Sequence, residues 1–198
     1  MATTSGLDST SVPPECECWP ATLRIVNICQ SYCQGSPSAS SAGREENATA
    51  DIARRVVLAD TLAVARSLVQ HWGTVNGCAN VDAHMDARML CYMTDAVSLV
   101  LRDHENALDT LTSRESKSNA PRIYVGRLEL DAVEAAIVAQ EALKHSLIRL
   151  ALMPLEIEEE AALLVGAGAE NPLGDRDVKA LYTRLFRMLG IVNRLDTI

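Results

Sequence analysis

Met89-Leu90-Cys91-Tyr92-Met93-Thr94-Asp95-Ala96-Val97-Ser98-Leu99-Val100-Leu101 is apolar on nearly every side of a helical projection. A surface helix gathers its apolar residues into one stripe. A stripe that wraps most of the way round marks a helix covered on most of its circumference. This stretch therefore belongs at the centre of a helical fold. Asp82 or Asp86 can cap its start. Leu90, Met93, Val97 and Leu101 carry the period toward Leu108.

The neighbouring segments also read as helices. From about Thr49 to Trp72, Val56, Leu62, Leu68 and Val69 fit a helical period, and Val57, Leu58 and Val64 widen the stripe. Thr49 or Asp51 can cap this helix. Gly73 to Ala79, with Asn76, reads as a loop. A first helix starts near Trp19-Pro20, since proline suits a first turn. It presents Leu23, Val26, Ile28 and Tyr32, with Cys29 and Cys33 extending that side, and it stops at Gly35. Residues 1–14 are Ser/Thr-rich, end in Pro13-Pro14 and read as a disordered lead-in, whereas 35–48 reads as a mobile linker within a single helical domain over 15–198.

Beyond the central helix, Thr112 to Asn119 is polar. Ile123, Val125, Leu128 and Leu130 then surround Gly126 in an extended strap. Asp131-Ala132-Val133-Glu134 has capping-box spacing: the cap carboxylate accepts from the third residue's N–H, and the glutamate reaches back. Val133, Ile137, Leu143, Leu147 and Leu150 follow as an apolar side, with Ala136 and Ala151 filling gaps. Pro154 ends or kinks this helix. Glu156 to Val165 forms an acidic helix closed by Gly166-Ala167-Gly168. Asp175 caps a last helix carrying Val178, Leu181, Tyr182, Leu185, Phe186 and Leu189. The fold class is all-α: a single helical bundle with a short extended strap near residues 122–130.

Composition agrees. The 198 residues are 48% hydrophobic but only 4% aromatic, so the core is built from aliphatic side chains and methionine, which suits packed helices. A net charge of −8 and a pI near 5.0 argue against a self-sufficient DNA-binding surface, which needs a basic patch to displace counterions. No direct nucleic-acid contact is expected. No apolar stretch is long enough to span a bilayer, and the start lacks the pattern of a signal peptide. The expected compartment is the nucleus or cytoplasm, with no membrane contact.

Cys16, Cys18, Cys29, Cys33, Cys78 and Cys91 are spaced C-x-C, then ten residues, then three, then more than forty before Cys78. A binuclear zinc cluster needs C-x2-C-x6-C twice over. A simpler zinc site on Cys16, Cys18 and a distant ligand lacks the second well-spaced chelate that closed tetrahedral sites usually bring. The spacing favours unligated, reduced thiols, so no metal and no cofactor is expected. His71, His84, His104 and His145 include no H-x3-H pair. His84 between Asp82 and Asp86 is the densest polar cluster. Capping explains those carboxylates better than acid–base chemistry does. On the enzymatic alternative, the candidate catalytic residues are His84, Asp86 and His104. Gly166-Ala167-Gly168-Ala169 lacks the Gly-Lys-Ser/Thr of a phosphate loop and reads as a helix stop. Glu156 to Glu160 reads as a solvated face, with a docking patch for a basic partner as the alternative.

From Cys16 onward the chain resembles the C-terminal regulatory domain of aflatoxin-pathway-type fungal zinc-cluster transcription factors. The matching elements run in order. Cys16-Glu17-Cys18-Trp19-Pro20-Ala21-Thr22-Leu23 enters a helix. Val56–Trp72 leads to Gly77-Cys78, and Met89 to Val97 follows. Ile123-Tyr124-Val125-Gly126-Arg127-Leu128-Glu129-Leu130-Asp131 then leads into Leu143, Leu147 and Leu150. Family regulators carry a basic zinc cluster ahead of this domain, and only a short polar lead-in stands here. The resemblance implies a stand-alone regulatory or co-regulatory domain of fungal secondary metabolism. Its expected partner is a protein: a zinc-cluster transcription factor or a second copy of itself. The alternative is a small-molecule binder or cofactor-independent cyclase-like enzyme for an apolar polyketide or terpenoid, with Met85, Met89, Cys91, Tyr92 and Met93 lining its pocket. Core packing is the simpler role for those five residues.

Overall fold

A computed structural model describes residues 16–34, 46–112, 124–125, 127–168 and 170–195. The lead-in, linker residues 35–45, the segment 113–119, Ile123 and Gly126 lie outside the described residues, as do the side chains of Tyr32, Cys33, Val56 and Val57. The helices are α1 (Cys18–Gln34), α2 (Glu46–Asn76), α3 (Val81–His84), α4 (Ala87–Thr112), α5 (Ala132–Leu150), α6 (Leu152–Gly166) and α7 (Val178–Leu195). Between α4 and α5, the two-residue strands β1 (Tyr124–Val125) and β2 (Leu128–Glu129) pair antiparallel, Tyr124 against Glu129 and Val125 against Leu128. The protein is an all-α bundle, and its strap is this small hairpin.

α4 is the hub. It packs against α1, α2, α5, α6 and α7, while α5 packs against α2 and α7. The wrapped apolar stretch explains why: Met89, Leu90, Met93, Ala96, Val97 and Leu101 have no exposed surface at all. Two of its carboxylates are paired with arginines of α7 and of the turn before it. Asp95 accepts both Nε and Nη2 of Arg176 at 2.8 and 2.6 Å, and Glu105 accepts Arg184 at 3.2 and 2.9 Å and Arg187 at 2.9 Å.

α4 starts where Asp86 accepts the Met89 N–H at 2.8 Å, so Asp86 is its cap and Asp82 sits in the first turn of the separate α3. α2 begins at Glu46, earlier than Thr49, which turns the last residues of the expected linker into helix. It also runs through Gly73 to Asn76. Gly77 then closes it, donating to the Gly73 carbonyl; a Cβ at Gly77 would stand 3.1 Å from that oxygen.

α5 opens on a complete capping box. Asp131 accepts the Val133 and Glu134 N–H groups at 2.8 Å each, and Glu134 accepts the Asp131 N–H at 2.9 Å. Its buried face is Ala135, Ala139, Gln140, Leu143, Leu147 and Leu150, while Val133 and Ile137, expected in the core, are 69% and 56% exposed. The small alanines let α5 approach its neighbours closely at its N-terminal half and leave the β-branched residues outside. Gln140 donates to the Val192 carbonyl at 2.9 Å, tying α5 to α7. The break between α5 and α6 falls at Ala151, where Pro154 cannot donate to the turn behind it. Trp72 donates its indole N–H to Glu156, joining the end of α2 to α6. α7 is capped by Asp177, which accepts the Ala180 N–H at 3.0 Å, rather than by Asp175.

Candidate functional site

Four side chains with metal-ligand chemistry converge where α1 meets the α2–α3 corner. Cys16 precedes α1 and Cys18 is its first residue. Cys78 lies in the turn after α2, and His84 closes α3. The turn is held by backbone bonds: Cys78 N–H to Val75 O at 3.2 Å, Val81 N–H to Cys78 O at 3.1 Å and Met85 N–H to Val81 O at 2.8 Å. This one-turn knuckle brings Cys78 and His84 to the same side. The three sulfurs and the imidazole nitrogen all lie within 4.8 Å of one another. Cys18 and His84 are buried, and Cys16 and Cys78 are half-buried.

The imidazole is oriented. Its Nε2 faces the Val75 carbonyl at 3.4 Å, and a carbonyl only accepts, so Nε2 carries the proton. Nδ1 therefore turns a lone pair toward Cys16 Sγ, 3.4 Å away. The Asn80 N–H points at Cys78 Sγ from 3.5 Å. Burial foremost, and then contact with Cys78 and Cys16, pushes the Cys18 thiol up to about 12. The Cys16 thiol is shifted down, chiefly by a backbone hydrogen bond from Cys18. Sulfurs this close resist ionising together unless a cation offsets their charge.

Three of the six cysteines thus meet at one point, which their spacing in the sequence does not reveal. What the spacing argument missed is the second chelate. Cys78 and His84 stand six residues apart, and a short helix between them folds the pair into one. Cys29 is buried on α1, and Cys91 donates to the Pro172 carbonyl at 3.3 Å, away from the cluster.

The enzymatic candidates are not assembled into a site. His84 belongs to the sulfur cluster, and the Asp86 carboxylate is occupied as the α4 cap. His104 lies about 27 Å further along α4 by helical rise alone. It is fully buried: Nδ1 donates to the Val100 carbonyl at 2.8 Å, and Nε2 accepts from the Ser146 hydroxyl at 2.9 Å. Burial lowers its pKa to about 4. His71 is likewise satisfied, with Nε2 at 2.7 Å from the Thr22 hydroxyl, and burial lowers its pKa. Thr22 also lies 2.9 Å from the Cys18 carbonyl and 3.3 Å from Met89 Sδ, so it joins α1 to α2 and α4. Of the five residues proposed to line a pocket, Met85, Met89 and Met93 fill the core along one side of α4 and its approach. Tyr92 is exposed and meets Trp19 edge to face, with ring centroids 6.0 Å apart.

A groove of about 220 Å3 lies elsewhere, between α2 and α5. Leu62, Ala65, Val69 and Ala142 make it apolar, and Arg66, Arg149, His145 and Ser146 edge it. Among the described residues neither guanidinium has a carboxylate partner. It is a cationic trough on an acidic protein. No described helix is long and apolar enough to cross a membrane. Comparison with the models of known protein families, with curated proteins and with solved structures returns no match.

Proposed function

We propose that this chain is a regulatory or co-regulatory domain of a fungal secondary-metabolite pathway that works by binding a protein, in the nucleus or cytoplasm. The pathway context rests on the resemblance of the Cys16–Leu23, Val56–Cys78, Met89–Val97 and Ile123–Leu150 segments. The observation that supports a protein partner is the α2–α5 groove. Its apolar floor and its Arg66, Arg149 and His145 edge match an amphipathic helix whose polar side is acidic. A zinc-cluster transcription factor with such a helix fits. So does a second copy of this chain, because α6 exposes Leu152, Leu155 and Leu163 beside the Glu158–Glu159 pair.

The test is deletion of the gene in the organism that carries it, followed by comparison of pathway transcripts and metabolites. A regulator changes transcript levels. Restoring the wild-type gene returns them, and restoring the Arg66→Glu/Arg149→Glu double variant does not. Unchanged transcripts together with a build-up of one biosynthetic intermediate would overturn the reading in favour of an enzyme.

A further inference from the structure

We propose that Cys16, Cys18, Cys78 and His84 bind one zinc ion in a closed, structural site that staples the start of α1 to the α2–α3 corner. Zinc takes three thiolates and one imidazole readily and prefers a tetrahedron. With Zn–S near 2.3 Å and Zn–N near 2.0 Å, a tetrahedron has S···S edges of about 3.8 Å and S···N edges of about 3.5 Å. The Cys16 Sγ to His84 Nδ1 separation of 3.4 Å is already such an edge, and no ligand pair exceeds 4.8 Å. Small side-chain rotations close the rest, with no shift of the helices.

Three further features fit a metal better than a chance meeting of thiols. The ligands come as two local chelates, Cys16 with Cys18 and Cys78 with His84, each closed by a short stretch of chain. The Val75 carbonyl holds the imidazole in the tautomer that aims a bare Nδ1 at the sulfurs, as outer partners of zinc-bound histidines do. The Asn80 N–H faces Cys78 Sγ, where a thiolate accepts better than a thiol. Four protein ligands leave no open position for water or substrate, so the role is structural. On binding, Zn2+ replaces the three thiol protons, which pass to solvent, and no electron is transferred.

The position says what the ion does. α1 is joined to the rest by its apolar side and by Thr22. Its N-terminal entry is held by Trp19 against Tyr92 and by the sulfur cluster, which brings together residues sixty or more positions apart in sequence. This inference is independent of the regulatory reading, because metal content is measured on purified protein whatever the pathway.

The experiment uses the full chain purified under reducing conditions without immobilised metal. Elemental analysis is expected to find one zinc per chain, and near none in Cys78→Ser or His84→Asn. Cys91→Ser, which lies outside the cluster, keeps its zinc. A chelator lowers the melting temperature of the wild type and leaves that of Cys78→Ser unchanged. If the variants do not fold, cobalt titration of chelator-stripped wild type decides the matter. Tetrahedral thiolate absorption should saturate at one equivalent and vanish when zinc is added. Folded wild type with neither zinc nor cobalt–thiolate absorption overturns the proposal. So do a disulfide among Cys16, Cys18 and Cys78, another metal in stoichiometric amount, or full zinc in a folded Cys78→Ser variant.

Discussion

His104 gives the bundle a defined sensitivity to acid. Its Nδ1–H bond to Val100 and its acceptance from Ser146 are both made by the neutral ring. Protonation would place a charge in the core and force the Ser146 hydroxyl to turn away. Burial takes the pKa from 6.5 to about 4. Between those values the unfolded chain binds the proton and the folded chain does not, so stability is complete above 6.5 and is lost as pH falls toward 4. The full loss is about 3 kcal/mol, of which about 2 kcal/mol falls between pH 7 and pH 5. For a domain of this size that is a drop in melting temperature of roughly 4–8 °C. Urea unfolding followed by circular dichroism at the two pH values measures it in the wild type and in His104→Gln. His71, whose pKa burial also lowers, titrates in the same range and contributes equally to both proteins. The difference between the two pH slopes therefore isolates His104. Equal slopes would refute the reasoning and mean that the ring is hydrated or charged in the native state.

Glu105 acts in a lower window. Its carboxyl is held below the usual value of 4.5, chiefly by the hydrogen bond from Arg184. Its stabilising contribution is thus present above that value and is lost as pH falls below it. Glu105→Gln is expected to cost about 1 kcal/mol at neutral pH, since the partners are partly exposed, with the gap to wild type closing in acid. A gap that stays constant from neutral pH down to acid unfolding would show that the ion pairs are not its source. The helix caps give a paired test by thermal melting: Asp131→Ala and Asp177→Ala should each cost about 1 kcal/mol, and Asp175→Ala close to nothing. A loss at Asp175 equal to that at Asp177 would place the α7 cap where the sequence first suggested.

The helical fold was legible because period and capping are local. Met89 to Leu101 could be placed at the centre before any contact was known, and Asp131 with Glu134 marked the start of α5 to the residue. The failures have non-local causes. Val133 and Ile137 fit the same period as Leu143 and Leu147, yet the alanines at 135 and 139 set the face that packs. Periodicity identifies a side chain's angle on the helix but not which neighbours come close enough to cover it. Asp175 and Asp177 are both good caps, and the turn from Asn171 to Gly174 decides between them: Asn171 donates to the Gly174 carbonyl at 2.6 Å, and Gly174 takes a positive φ of 61°. Gly73 looked like a helix end and is instead carried through by the helix around it.

The candidate site was hidden for a related reason. Metal motifs are recognisable when both chelates have familiar spacings, and Cys16-x-Cys18 supplied only one unfamiliar pair. In sequence Cys78 stands in a loop-like stretch and His84 in a helix start flanked by Asp82 and Asp86, whose capping accounts for the polar cluster without a ligand. The same capping supplies the geometry. Asp86 starts α4 just after His84, so α3 must end there. The single turn from Val81 to His84 then returns the imidazole toward Cys78. A residue-level change that lengthens this knuckle should therefore separate the two chelates without touching a ligand. An alanine inserted between Asn80 and Val81 would rotate His84 by about 100° about the α3 axis. Zinc binding should fail in that variant while α4, still capped by Asp86, keeps its helix. If zinc remained bound, the ligand assignment at His84 would be wrong even with the three cysteines right.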